Sequence, residues 1–461
     1  MRSRAAPSVL PIVGTVLAWL PLLAMLIVLT LLWVAALPQA ARAQGANAPV
    51  AARPSVDALM DAAARGETAP LEQAIADPAS SADLRAVLRA ALAAGRLEPA
   101  ATREPALRRL SEGRDPALRR AALGVLTSSA FAAGNYAEAA RAGRALSEAL
   151  RAAGMAEDSA ATERTWRLAD LLARHGRPGV AGAVHAGSTA ARRDRVGLTR
   201  IDIQVNGQTQ EAVFDTGANL SVLSASTARR LGVRIEQGEV AVGNGVQTTV
   251  ATRIGVAPRV EIAGNVLTNV AFLIIDDANL SFPQVPGGYA IPAIIGMPEM
   301  RALGRVRLEQ AGRLSVLPPE ETTVAAPANL HAGGNDLFAD VAVDGRMMPL
   351  HLDSGADRTG LTARYAAAEP ARVAALQTGQ ANFSSAGGTR SRRFATWPNA
   401  PVRVAGQSLT LPALQIGLPG DGPEDKFNGV LGSDVLRRFE SWTLDFRAMR
   451  LTLGAPVAAA P

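Results

Sequence analysis

Two five-residue segments constrain this chain more than anything else in it: Phe214-Asp215-Thr216-Gly217-Ala218 and Leu352-Asp353-Ser354-Gly355-Ala356. Each Asp ends an apolar run of strand character and is followed by a hydroxyl, a Gly and an Ala. One Asp-Thr-Gly in 461 residues is close to chance; two inside matching frames are not. Gly207 lies eight positions before Asp215 and Gly345 eight before Asp353, in the pairs Asn206-Gly207 and Asp344-Gly345. Such pairs close two-residue hairpins, so in each half a returning strand carries the Asp to its end. Downstream, Val260-Glu261-Ile262-Ala263-Gly264 is echoed by Val402-Arg403-Val404-Ala405-Gly406, and Ile294-Ile295-Gly296 by Val430-Leu431-Gly432. Asp215 to Gly296 spans 81 positions and Asp353 to Gly432 spans 79. Each half closes on a strand-like run, Arg313–Val316 and Arg450–Leu453. A unit of roughly 120 residues is therefore duplicated, and the expected fold is mainly β, two similar lobes in tandem.

On these motifs the stretches 199–318 and 334–454 each resemble a lobe of the retropepsin-like aspartic proteases. The lobes stand in tandem, as in pepsin, rather than as a homodimer, as in the viral enzymes. The resemblance implies a bilobal cleft with an acid protease dyad. Asp215 and Asp353 would hold a water between them, one ionised as general base and the other protonated toward the scissile carbonyl. Thr216 and Ser354 would bond the opposite lobe's backbone. Gly217 and Gly355 suit a turn that approaches its partner closely or needs positive φ. Ile295-Gly296 and Leu431-Gly432 match the buried support of the Asp loop. Asn219 and Asp357, two past each Gly, fall where the viral enzymes bond substrate main chain; the alternative is an ordinary turn-capping side chain. Ala218 and Ala356 replace a hydroxyl that in pepsin favours the ionised carboxylate, so the dyad should titrate higher and work in mild acid. Flap hairpins are expected around Gly243-Asn244-Gly245 and Gly387-Gly388, glycine-rich tips with polar flanks. His351, two before Asp353, reads as a core histidine or a perturber of the dyad.

Other chemistries fall away. The chain has no Cys, so no disulfide frame, thiol nucleophile or zinc-thiolate site is available. Its four His show no metal-binding spacing, and neither a metal nor a cofactor is expected. The net charge of +6 comes almost wholly from Arg, alternates with acids and lacks interleaved aromatics, which argues against a nucleic-acid partner.

Residues 1–43 read as a signal peptide or signal anchor. Arg2 and Arg4 precede a long apolar stretch, and Ala41-Arg42-Ala43 forms an Ala-x-Ala cleavage pattern. The remainder is expected outside the cytoplasm, in the periplasm, either free or tethered to the inner membrane. After a linker at 44–54, residues 55–193 carry helical spacing rich in Ala, Leu, Arg and Glu. Gly134-Asn135-Tyr136 divides a helix hairpin that resembles a tetratricopeptide unit, and the region reads as a partner-binding repeat, a stalk or a pro-segment. Residues 319–333 are expected to link the lobes, and 455–461 to form a disordered tail. Two functions from different classes follow: an aspartic endopeptidase acting on peptide or protein substrate, or a non-catalytic peptide-binding module with a helical partner-binding region.

Overall fold

The structure is a computed structural model that describes residues 53–98, 101, 104–238, 240–243, 249–283, 285–319, 327–385, 388–420 and 426–457. The expected signal segment, most of its linker and the last four residues lie outside the described residues. Among those described, no helix is long and apolar enough to cross a membrane.

Seven helices come first: α1 (Val56–Ala64), α2 (Ala69–Ala76), α3 (Ala82–Gly95), α4 (Pro105–Ser111), α5 (Pro116–Ala132), α6 (Tyr136–Ala152) and α7 (Ala156–Leu172). Their starts are written locally. Ser55, Ser81 and Asp115 accept hydrogen bonds from first-turn amides, and Pro105 and Pro116 occupy the first turn, where no amide partner is lost. Gly134 and Gly154 take positive φ in the two short turns that fold α5, α6 and α7 back on one another. The expected hairpin at Gly134 is present, and α7 repeats the device.

The helical region ends earlier than 193. After α7 the chain already belongs to the first β lobe, because Gly187–Arg193 pairs with Thr199–Ile201 and with Arg313–Val316. Alternation there exposes Ser188, Ala190 and Arg192 while Ala191 between them is buried, a strand's period rather than a helix's. The expected linker also ends early: Leu330–Gly333 pairs with Asp336–Ala339 and opens the second lobe, while 320–326 lie outside the described residues.

Each lobe starts with the hairpin read from sequence. Asn206-Gly207 and Asp344-Gly345 both take positive φ, as a two-residue turn of this kind requires. The returning strands, Gln208–Phe214 and Arg346–Leu352, then run parallel to short support strands, with Phe214 beside Ile295 and Leu352 beside Leu431. The lobes share a sheet, since Arg305–Glu309 of the first pairs along its whole length with Ser441–Asp445 of the second. Phe214 and Trp442, both buried, meet at 6.3 Å between ring centroids.

One face of the first lobe's sheet packs inward. The other, which carries Asp215, bears a transverse row of neighbours Val213, Ile294, Val222, Leu273 and Ile254. This row belongs to one apolar cluster with Phe131, Tyr136, Ala139, Leu168 and Leu172 of α5, α6 and α7. The helices therefore lie on the Asp-bearing wall of the first lobe.

Candidate active site

The Asp loops face each other across the lobe boundary and interlock. Thr216 donates its hydroxyl to Leu352 O at 2.8 Å, and Ser354 donates to Phe214 O at 3.2 Å. In return, the amide of Ser354 reaches Thr216 Oγ1 at 2.9 Å and that of Thr216 reaches Ser354 Oγ at 3.1 Å. Four buried bonds thus run between residues 136 to 140 positions apart. Each hydroxyl acts as donor and acceptor, which only Ser or Thr can do at this size.

Gly217 and Gly355 are required by proximity rather than by φ; neither has a positive φ. A Cβ on Gly217 would stand 2.6 Å from the Asp353 carboxyl carbon, and one on Gly355 would stand 2.6 Å from Asp215 Oδ2. Each glycine is thus the floor on which the opposite carboxyl group rests.

Both carboxyls are fully buried. Asp353 Oδ1 accepts from the amides of Gly355 and Ala356, each at 2.9 Å, while Asp215 Oδ1 accepts from Gly217 at 2.9 Å. The Oδ2 atoms are buried and, among the described residues, lack a well-aligned hydrogen-bond partner. Burial first, and then the charge of Asp353, holds Asp215 well above the ordinary carboxylate range, against the pull of the loop amides. Burial also raises Asp353. The charge of His351, the Ala356 and Gly355 amides and a hydrogen bond with Asp215 oppose it. Two such carboxyls titrate as a pair, with one proton shared at the pH where one is ionised.

The hydrogen bonds that support the loops are duplicated. The amide of Asp215 donates to Ile295 O and that of Asp353 to Leu431 O, both at 3.0 Å. Gly296 and Gly432 lie so close to their loops that a Cβ would meet Ala218 O at 2.4 Å or the Arg358 carbonyl carbon at 2.5 Å. Ala218 and Ala356 accept, through their carbonyls, the amides of Met297 and Ser433 at 2.8 Å.

A second tier was not anticipated from sequence. The Gly296 amide donates to Ser221 Oγ, which donates to Glu299; the Gly432 amide donates to Thr359 Oγ1, which donates to Asp434. The signal was available: Ser221 and Thr359 each lie six positions after their Asp, and an acid follows each support Gly within three positions. Glu299 is fully enclosed, and burial raises its carboxyl to about 7.

The expected substrate-contact residues divide by lobe. Asn219 is buried and lines a cavity of about 140 Å³ between the helices and both lobes, with Phe131, Tyr136, Arg301 and Asp336 also in its wall. Asp357 is partly exposed, its carboxyl 3.9 Å from Arg358. Burial raises its carboxyl, against the charges of Arg358 and Arg437. Both expected flaps are hairpins. Val240–Gly243 pairs with Thr249–Thr252, and Gln377–Ser385 pairs with Gly388–Thr396. Gly243 and Gly388 end their strands beside the tips, while Asn244, Gly245 and Gly387 lie outside the described residues. Helix α7 runs alongside Val240–Gly243.

Comparison with known proteins agrees with the first lobe. Residues 201–298, from the first hairpin through the support Gly, match the family model described as aspartyl protease. No curated protein matches the chain. Among solved structures, it is similar to a retropepsin-like aspartic protease from Rickettsia conorii at 16% identity, over 31% of this chain and 96% of that one, with a TM-score of 0.20. A likeness at that score adds nothing to the geometry.

Proposed function

We propose that this chain is an aspartic endopeptidase with a pepsin-like arrangement, one catalytic Asp from each of two tandem lobes. The observation that carries the reading is the interlocked pair of Asp loops, which presses two carboxyls into one buried site. A carboxyl pair sharing a proton supplies base and acid together. The ionised member takes a proton from water, whose oxygen attacks the scissile carbonyl carbon. The protonated member gives its proton to the carbonyl oxygen, which yields a neutral gem-diol. Collapse returns one hydroxyl proton to the carboxylate that lost its own. The other carboxyl protonates the departing nitrogen, so the dyad ends as it began. Loop interlock fixes the two groups relative to each other and removes reorientation from the barrier.

Ala218 and Ala356 offer no hydroxyl to favour an ionised dyad, and both carboxyls are raised by burial. Activity therefore belongs in mild acid, and an optimum at pH 2–3 would contradict this. The reading of residues 1–43 as a signal peptide or signal anchor supports an activity outside the cytoplasm, in the periplasm.

The test is cleavage of an unbiased peptide mixture by the purified chain from pH 3 to 7, beside Asp215→Asn and Asp353→Asn. Both substitutions should abolish cleavage; a variant that still cuts, or a parent inactive at every pH, defeats the reading. A second reading, a peptide-binding module without catalysis, draws on the helices packed against the first lobe's Asp-bearing wall. It predicts that peptide binds the parent and both variants equally and that none of them cuts.

A further inference from the structure

The two Asp loops are copies, but the strands that deliver them differ two residues earlier, where Val213 stands in the first lobe and His351 in the second. Alternation along a strand puts that side chain on the same face as the Asp. His351 is fully buried, with Nε2 3.4 Å from Oδ1 of Asp336, itself 3% exposed. That separation is an ion-pair distance, with less than ideal hydrogen-bond alignment. The imidazole stacks on Phe427 at 5.0 Å and meets Phe338 at 5.8 Å. Those rings cover the imidazole.

The charges on the packed elements leave His351 with two carboxyl neighbours, Asp336 and Asp353. On the Asp336–Val343 strand, Asp340 is taken by His331 at 3.0 Å. Glu67, on the turn after α1, is held by Arg65 and Asn428. Lys426 is exposed on the loop that carries Phe427, and its charge acts on Asp336. The support strand Gly429–Leu431 has no titratable side chain. Two acids beside a buried imidazole favour its charged form, against the cost of desolvation.

We propose that His351, held as an imidazolium by Asp336, gives the dyad a fixed direction: Asp353 is the standing carboxylate and Asp215 keeps the proton. In the reaction above, Asp353 then takes the proton from water and Asp215 gives its proton to the carbonyl oxygen. The catalytic part rests on the protease reading; the order in which the carboxyls ionise does not. His351 is a positioning residue, since it acts through Asp353. The directions of titration agree. Burial lowers His351, but Asp336 and then Asp353 raise it further, and the charge of His351 is the largest force lowering Asp353.

The experiment compares pH profiles of kcat/KM for the parent, His351→Gln, Asp336→Asn and the double variant. Loss of the imidazolium should move the acid limb up by about one pH unit. Asp336→Asn should move it in the same direction, and the double variant no further than His351→Gln. A merely structural role would lower the whole profile and leave its limbs in place, which would overturn the proposal. A second measurement on the parent needs neither cleavage nor a folded His351 variant. Ring nitrogen-15 spectra should show the imidazole most protected from solvent, that of His351, doubly protonated at pH 7. Aspartate carboxyl carbon-13 spectra should show the resonance absent in Asp353→Asn titrating below the one absent in Asp215→Asn. Four neutral imidazoles at pH 7, or the reverse order of carboxyls, would overturn it. Absence of cleavage alongside the expected titration order would defeat the protease reading alone.

Discussion

In the first lobe the row across the Asp-bearing face reads Val213, Ile294, Val222, Leu273, Ile254, every member buried beneath helices. In the second lobe the corresponding row reads His351, Val430, Gly360, Gln415, Thr396, and only His351 is buried. Just beyond, Asn219 and Leu220 are buried where Asp357 is partly exposed and Arg358 exposed. The interlock and the support tier are the same on both sides. Chemistry that needs two equal halves has thus been kept equal, while the walls have diverged: one became an apolar seat for α5, α6 and α7, the other stayed polar and open.

The comparison breaks most completely at the shared centre. Gly217→Ala and Gly355→Ala each drive a methyl into the opposite carboxyl, so both should abolish activity and lower the melting temperature to a similar degree. A lobe-specific outcome would show that the halves are not equivalent where they meet.

Next come the walls. Leu273→Ala removes a fully buried side chain from the helix-covered row and should cost about 2–5 kcal/mol in denaturant unfolding. Gln415→Ala, at the same place along the second row, should stay within about 0.5 kcal/mol. Similar costs at the two positions would mean that the second wall is also covered.

The support tier offers a pH-dependent contrast. Glu299 has its carboxyl raised from 4.5 to about 7 by burial. The folded chain therefore holds this proton where the unfolded chain has released it, and stability present below pH 4.5 is lost as pH rises through about 7. Glu299→Gln should remove up to about 3 kcal/mol of that slope, read from melts at pH 4.5 and 7.5. An unchanged slope would place its cause elsewhere.

The smallest expected effect concerns the grip. Thr216→Val and Ser354→Ala should each cost about 1–3 kcal/mol because buried partners are left without bonds. The double variant should cost less than the sum, since each hydroxyl makes two of the four bonds in a single interlock and losing one pair already loosens the other. Strict additivity would mean that the loops are held independently.

The duplicated frame made much of this legible in sequence. Asn206-Gly207 and Asp344-Gly345 identified the hairpins, and nearly equal spacing to Gly296 and Gly432 identified the supports, because turn chemistry and close backbone approach are local demands. The tier of Ser221, Glu299, Thr359 and Asp434 was equally periodic but joins segments about 75 residues apart, and no local rule links a hydroxyl to so distant an acid. The helices' position was not legible at all. Val213, Val222 and Ile294 read as ordinary strand residues; that their outer face is covered depends on a tertiary contact without a sequence period. Gly187–Arg193 was drawn into the helical region because its Ala and Arg favour helix, and pairing on two sides overrode that propensity.

The sheet shared by the lobes has a consequence for how the chain is made. Arg305–Glu309 completes its pairing only with Ser441–Asp445, and Arg307 bonds Thr443 across 136 positions. A ribosome adding about 5–20 residues per second needs several seconds or more to supply that partner. Throughout this interval the first lobe, helices in place, presents an unpaired strand to its surroundings. An open edge of this kind is a template for joining other chains. A product that stops after the first lobe should therefore self-associate, and release of the last strands is the step that makes the nascent protein safe from its own neighbours.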